Sequence, residues 1–255
     1  MLFVGIDLAW SPRNASGIAV IEGGRDGGKV LCAQTVNSDK DILNFVRKNV
    51  GDRDAFVAID APLIVPNLEG RRVAEALTGQ LFRKYDAGAH PANRTRLGQW
   101  SDGKIRGEEI TRILEDEGFR HNPYIDQFEE SRTVFEVYPH PSMVVLFGLD
   151  RILRYKAKPK RDYEFRWKEF ERYKICLENL EGADPGLILS KDIYETDVRM
   201  LKGRALKSYE DVLDSVFCAY IAYYSWANPD RCAVLGNLED GYIYTPVFDN
   251  MKEML

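Results

Sequence analysis

The feature that most constrains this chain is an aspartate set inside an apolar strand. Residues 2 to 9 read Leu-Phe-Val-Gly-Ile-Asp-Leu-Ala, an apolar run interrupted only by Gly5 and Asp7. Aspartate is depleted from strands and costly to bury alone. Nothing near Asp7 in the sequence explains an acid between Ile6 and Leu8. The turn residues Ser11, Pro12, Arg13 and Asn14 then lead into a second apolar run, Gly17 to Ile21. After the Gly23-Gly24 and Gly27-Gly28 cluster, Val30 to Val36 supplies a third. This pattern predicts three antiparallel strands joined by turns.

Ser38 followed by Asp41 is a capping-box pattern, and Ile42, Phe45, Val46 and Val50 recur at helical spacing. The wholly apolar run Ala55 to Ile59, stopped by Asp60-Ala61-Pro62, reads as a central strand covered on both faces. From Gly70 to about Tyr124 the chain turns polar and helical, and Thr133 to Tyr138 restores strand character. Tyr163, Trp167, Phe170, Tyr173, Leu177 and Leu180 form one stripe of an amphipathic helix. Ser208 opens a last, largely buried helix running to about Trp226, and Gly241 to Val247, with Pro246, reads as an edge strand. The expected fold is therefore α/β: a mixed sheet of three antiparallel and then parallel strands, flanked by helices. Residues 1–255 are expected to form one domain with helical insertions at about 68–130 and 142–207.

With 255 residues, 45% of them hydrophobic, the chain can bury a full core. Cys32, Cys176, Cys218 and Cys232 are widely spaced, with no Cys-x-x-Cys pair, and read as the buried thiols of a cytoplasmic protein. The N-terminus lacks a signal-peptide pattern, and no apolar run reaches the roughly 18 residues a membrane span needs. The net charge of −5 argues against nonspecific coating of nucleic acid, which needs many cationic contacts to phosphate. A local basic patch remains open: from Arg151 to Lys174 there are ten Lys or Arg against four acids. That segment reads either as a phosphate contact or as the solvated face of the amphipathic helix.

Two neighbouring strands ending in acids, Asp7 and Asp60, point to a shared site. Glu136 repeats the pattern within Val134-Phe135-Glu136-Val137, while Asp211 and Asp214 share a helix face. Carboxylates gathered this closely repel one another unless a cation sits among them, and an all-oxygen set suits Mg2+ or Mn2+. Two such ions about 3.5 to 4 Å apart can drive phosphodiester cleavage. Several acids have plainer readings: Asp211 as the capping-box partner of Ser208, Asp214 as a helix-dipole acid, Asp60 as a turn residue, and Glu136 facing solvent. His90, Asn93 and Arg94, in the loop Gly88 to Arg94, and His140, between Pro139 and Pro141, are candidate substrate contacts or rigid structural elements. His90, His121 and His140 show no zinc-ligand spacing.

Gly5-Ile6-Asp7-Leu8-Ala9-Trp10, Ala58-Ile59-Asp60-Ala61-Pro62, Gly88 to Arg94, Glu136 to Pro141, Glu210 to Asp214 and Gly241-Tyr242-Ile243 occur in this order along the chain. Together they resemble the domain-of-unknown-function 429 family, whose members are predicted to be ribonuclease-H-like nucleases. The resemblance implies a ribonuclease-H-like fold. Asp7 would lie on the first strand, Asp60 at the end of the fourth, and Asp211 and Asp214 on the last helix. This layout is most like that of Holliday-junction resolvases, and Glu136 has no counterpart in it. It further implies metal binding by Asp7, Asp60 and Asp214, and a DNA or RNA substrate. Two other functions compete with this reading. One is an ATP-binding phosphotransferase of the actin-like or sugar-kinase type, although the Leu2 to Val36 meander is not repeated in a second half. The other is a binding module without catalysis.

Overall fold

The computed structural model describes residues 1–255. Strands β1 (Leu2–Asp7), β2 (Ser16–Gly24) and β3 (Gly27–Val36) form the antiparallel meander, and helix α1 (Asp39–Asn49) leads to β4 (Ala55–Ile59). Ser38 caps α1 as its sequence promises, accepting from the Asp41 N–H at 3.1 Å. Helices α2 (Val73–Phe82), α3 (Arg94–Gly98) and α4 (Arg106–Asp116) follow, then the short β5 (Arg120–His121) and β6 (Arg132–Glu136). Next come α5 (Pro139–Leu146), α6 (Tyr163–Glu178), β7 (Leu187–Ile188), α7 (Lys191–Tyr194) and α8 (Gly203–Ala227). The hairpin β8 (Cys232–Asn237) and β9 (Gly241–Pro246) and the short α9 (Asp249–Lys252) complete the chain.

The main sheet has seven strands in the order β5-β6-β4-β1-β2-β3-β7. β1, β4, β6 and β5 run parallel, whereas β2 is antiparallel to both β1 and β3. This mixed α/β sheet is consistent with a ribonuclease-H-like layout. The segments expected to be helical insertions also contribute strands. β5 covers part of one edge of the sheet, and β7 covers part of the other by pairing with Gly28 and Lys29 of β3.

Side-chain alternation divides the core in two. Phe3, Ala19, Ile21, Phe56, Ala58 and Phe135 face α8, while Val4, Ile6, Ile18, Val20, Val57, Ile59 and Val134 face α1 and α4. The same period of two places Asp7, in step with Phe3 and Gly5, and Asp60, in step with Phe56 and Ala58, on the α8 face. Glu136, in step with Val134, lies on the opposite face.

Helix α8 rests directly on the sheet at two glycines. A Cβ on Gly5 would lie 2.0 Å from the Ser215 carbonyl oxygen, and one on Gly17 would lie 1.9 Å from that of Asp211. Gly17 is the cross-strand partner of Asp7. This contact therefore sets the turn of α8 that carries Asp211 and Asp214 against the end of β1.

The structure corrects two expectations. α8 begins at Gly203, capped by the Lys202 backbone, so Asp211 and Asp214 lie more than two turns inside the helix. Ser208 is therefore no cap, and the dipole at the helix start does not reach these acids. Gly241–Pro246 is not an edge of the main sheet: β9 pairs with β8 and touches β6 through a single bridge, Val137 to Tyr244. Pro139-His140-Pro141, expected as a substrate contact or rigid element, opens α5, because a proline at the first helical position gives up an N–H that has no helical partner anyway.

Tyr242 of β9 ties this hairpin to the sheet. Its hydroxyl accepts from the Glu136 N–H at 3.0 Å and lies 2.8 Å from His121 Nε2. The hydroxyl proton therefore points to an unprotonated imidazole, and burial pushes the His121 pKa down to about 4. A base depressed in the folded state takes up its proton only on unfolding, so its stabilisation is complete above pH 6.5 and lost as pH falls through about 4. Relative to His121→Gln, the native chain should lose about 3 kcal/mol of stability over that range, as read by urea unfolding at stepped pH. Equal slopes for the two proteins would refute this.

Candidate carboxylate site

The site is built at the C-terminal ends of two adjacent parallel strands. Asp7 ends β1, Asp60 follows β4, and the Asp60 N–H continues the ladder by donating to the Ile6 carbonyl at 2.9 Å. Both side chains are only partly covered, leaving an edge open to solvent. From below, α8 contributes Asp211 and the fully buried Asp214.

Asp214 is held firmly on one side. Its Oδ1 accepts from the hydroxyls of Tyr155 at 2.6 Å and Tyr173 at 3.2 Å, both of them buried. Its Oδ2 faces the Lys156 ammonium at 2.9 Å, a charge contact without an aligned hydrogen bond. Lys156 comes from the irregular segment between α5 and α6. Arg161 donates to the Lys156 carbonyl at 3.1 Å and Arg166 to the Tyr155 carbonyl at 2.8 Å, so the lysine sits on an anchored backbone.

The charges respond to this crowding. Burial raises the pKa of Asp7 against the lowering effect of Lys156, and burial followed by the charge of Asp7 pushes Asp60 well above the usual carboxylate range. Asp211 is pushed up to about 7 by burial and by Asp7, although Lys207 at 2.6 Å pulls the other way. Asp211 and Asp7 lie close enough for each to shift the other. Burial opposes the charge on Lys156, but Asp214, Asp7 and Asp60 outweigh it and raise the lysine well above its ordinary value. No three His, Cys, Asp or Glu side chains form a ready metal-ligand group. The Lys156 charge stands among the acids instead.

The other candidate residues have different surroundings. Glu136 is not brought to the cluster. On the far face of the sheet its carboxylate takes both arms of Arg72, at 2.6 and 2.9 Å, and the Leu63 N–H at 2.8 Å. Asn93 caps α3 by accepting from the Arg96 N–H at 2.9 Å, and Arg94 grips Glu108 through two bonds of 2.8 and 2.9 Å. His90 is exposed. His140 stacks on Tyr138 with rings 5.3 Å apart, and burial, then Lys156, push its pKa down to about 3. Its Nδ1 is buried without a partner.

Lys156, Tyr155, Tyr173 and Lys207 were not singled out by sequence. Lys156 was one of ten basic residues in a segment with no local mark of its own, and Tyr173 fitted the apolar stripe of α6. An open cleft of about 590 Å³ lies at the opposite end of β1, beside Met1, Gly23, Arg25 and Trp226. It holds none of the acids.

No helix is long and apolar enough to cross a membrane. No curated protein matches the chain. A family model described as a protein of unknown function (DUF429) matches residues 5–239, a span that takes in Asp7, Asp60, Lys156 and Asp214 alike. The chain belongs to the DUF429 family.

Proposed function

We propose that this protein is a cytoplasmic nuclease that hydrolyses phosphodiester bonds of DNA or RNA with a bound Mg2+ or Mn2+ ion. The observation that carries the reading is the meeting of Asp7, Asp60, Asp211 and Asp214, from two strand ends and one helix, at a partly open edge of the sheet. Lys156 and Lys207 pair with Asp214 and Asp211, which leaves Asp7 and Asp60 with no ion-pair partner of their own. The donors fit a hard ion in kind, since they are all carboxylate oxygens, and Asp7 and Asp60 are the two that solvent reaches. When bound, the ion acidifies a water molecule and polarises a phosphoryl oxygen.

The chain's own residues supply the rest. Asp7 and Asp60 would hold the ion, and Asp211, beside Asp7 and pushed up to about 7 by burial and by that neighbour, is placed to take or give a proton. The substrate has a route to this edge. Trp10, three residues beyond Asp7, is 43% exposed, and the Arg96 guanidinium lies 5.3 Å above its ring. An exposed aromatic beside a cation offers a stacking surface for a base and a contact for its phosphate.

Purified protein with Mn2+ should cut at least one of a set of single-stranded, duplex, hybrid and branched oligonucleotides. Asp7→Asn should lower that rate by at least about 100-fold, the scale seen when an interaction made in the transition state is removed. An uncut panel, or an Asp7→Asn enzyme as fast as the native one, would end the nuclease reading.

A further inference from the structure

Asp214 and Lys156 together carry a narrower conclusion, which rests on the metal-dependent reading above. We infer that the site takes a single divalent ion, at Asp7 and Asp60, and that the Lys156 ammonium is a built-in cation serving Asp214 in place of a second ion.

Four features of the site support this. Asp214 is wholly buried, and its one oxygen without a hydrogen bond, Oδ2, is 2.9 Å from Lys156 Nζ. The other oxygen is spoken for by Tyr155 and Tyr173, both with side chains closed to solvent. Mg2+ and similar ions shed water reluctantly and usually keep several water ligands, so a dry corner walled by two tyrosines suits an ammonium better than a hydrated ion. The lysine is also held in position. Besides the bonds from Arg161 and Arg166, the Arg154 N–H donates to Glu169 of α6 at 2.5 Å, fixing the segment two residues before Lys156. Displacing Lys156 would thus require moving a pinned backbone or leaving a cation next to a dication.

Asp7 and Asp60 differ on each count. They end neighbouring strands, solvent reaches both, and a site of two carboxylates completed by water is a common form for Mg2+. Asp211 is engaged by Lys207 and by Asp7. The carboxylates therefore divide into a wet pair that can accept an ion and a dry acid already neutralised by this chain's own lysine. On this view Asp214 positions Lys156, and Lys156 in turn limits how many ions the acids can hold.

The test is the stoichiometry of Mn2+ binding, followed by the paramagnetic resonance of free Mn2+ and by calorimetry on the full chain, with no substrate present. The native protein should bind one Mn2+. Asp60→Asn should weaken that binding by about 100-fold or more, whereas Asp214→Asn, which keeps an acceptor for both tyrosines, should leave one site with its affinity changed by less than about fivefold. Lys156→Ala, which removes the charge and opens room for water beside Asp214, should gain a second site, and Lys156→Arg should not. Two ions on the native chain, or loss of the single ion in Asp214→Asn, would overturn this inference while leaving metal binding intact. No Mn2+ bound at all would overturn both it and the metal-dependent reading. If Lys156→Ala does not fold, the native and Asp214→Asn measurements still decide the matter.

Discussion

Arg72→Met is expected to lower folding stability by about 3 to 5 kcal/mol, the cost of removing one partner from a buried ion cluster. Arg72 is only 1% exposed in its side chain, and it neutralises two carboxylates almost as deeply buried, Glu75 and Glu136, each at 2.6 Å. One further bond, from Nη1 to the Ile64 carbonyl at 2.8 Å, ties the loop after β4 to the start of α2. Methionine fills much of the same space but leaves two acids facing each other without a cation. Burial already raises the pKa of Glu136, and only Arg72 and the Leu63 N–H hold it down. Urea unfolding of the native and variant chains measures the loss. Adding Glu136→Gln to Arg72→Met should recover part of it, because one of the stranded charges is then gone. A single-variant loss below about 1 kcal/mol would mean that the cluster is far better hydrated than its burial implies.

Gly5→Ala should be almost as damaging, and for a different reason. The added methyl would sit 2.0 Å from the Ser215 oxygen and 2.1 Å from the Ala219 nitrogen, so the obstacle is helix backbone, which has no alternative rotamer. Either α8 lifts from the sheet or β1 bends away, and overpacking on this scale costs about 3 kcal/mol or more. The same displacement moves Asp211 and Asp214 relative to Asp7. A shift of about 1 Å in a reacting group can cost on the order of 100-fold in rate, so both melting temperature and any Mn2+-dependent activity should fall together. Gly24→Ala is the matched control: it lies on β2, and nothing stands within 4 Å of its added carbon. Equal stability for the Gly5 and Gly24 variants would show that the helix contact is looser than drawn.

How much of this could be read from the chain depends on the range of each interaction. The meander, the β4 run and the α6 stripe are local patterns, and they occur close to where alternation and helical spacing place them. Asp7 and Asp60 were legible because an acid in an apolar strand end is conspicuous on its own. Glu136 has the same local appearance, yet its partner Arg72 is 64 residues away, and only the strand register shows that it faces the other layer. The true start of α8 was hidden because Gly203 to Lys207 carries no side-chain cap to mark it, and the Ser208 signal lies inside the helix. Lys156 was the hardest to find. A lysine in a basic loop looks solvated until the chain folds it 58 residues forward in sequence onto Asp214.

The helix that closes the acid cluster is also made well after the strands it covers. Asp214 leaves the ribosome some two hundred residues after Asp7, a delay of roughly 10 to 40 seconds at about 5 to 20 residues per second. Throughout that interval β1, β2 and β4 have no α8 to cover Phe3, Ile21 and Phe56, the residues on the face it buries. The nascent chain must therefore keep a greasy half-sheet from sticking to its neighbours. A ribosome stalled just before codon 203 should hold a protease-sensitive, chaperone-bound intermediate that carries Asp7 and Asp60 but not yet the helix acids Asp211 and Asp214.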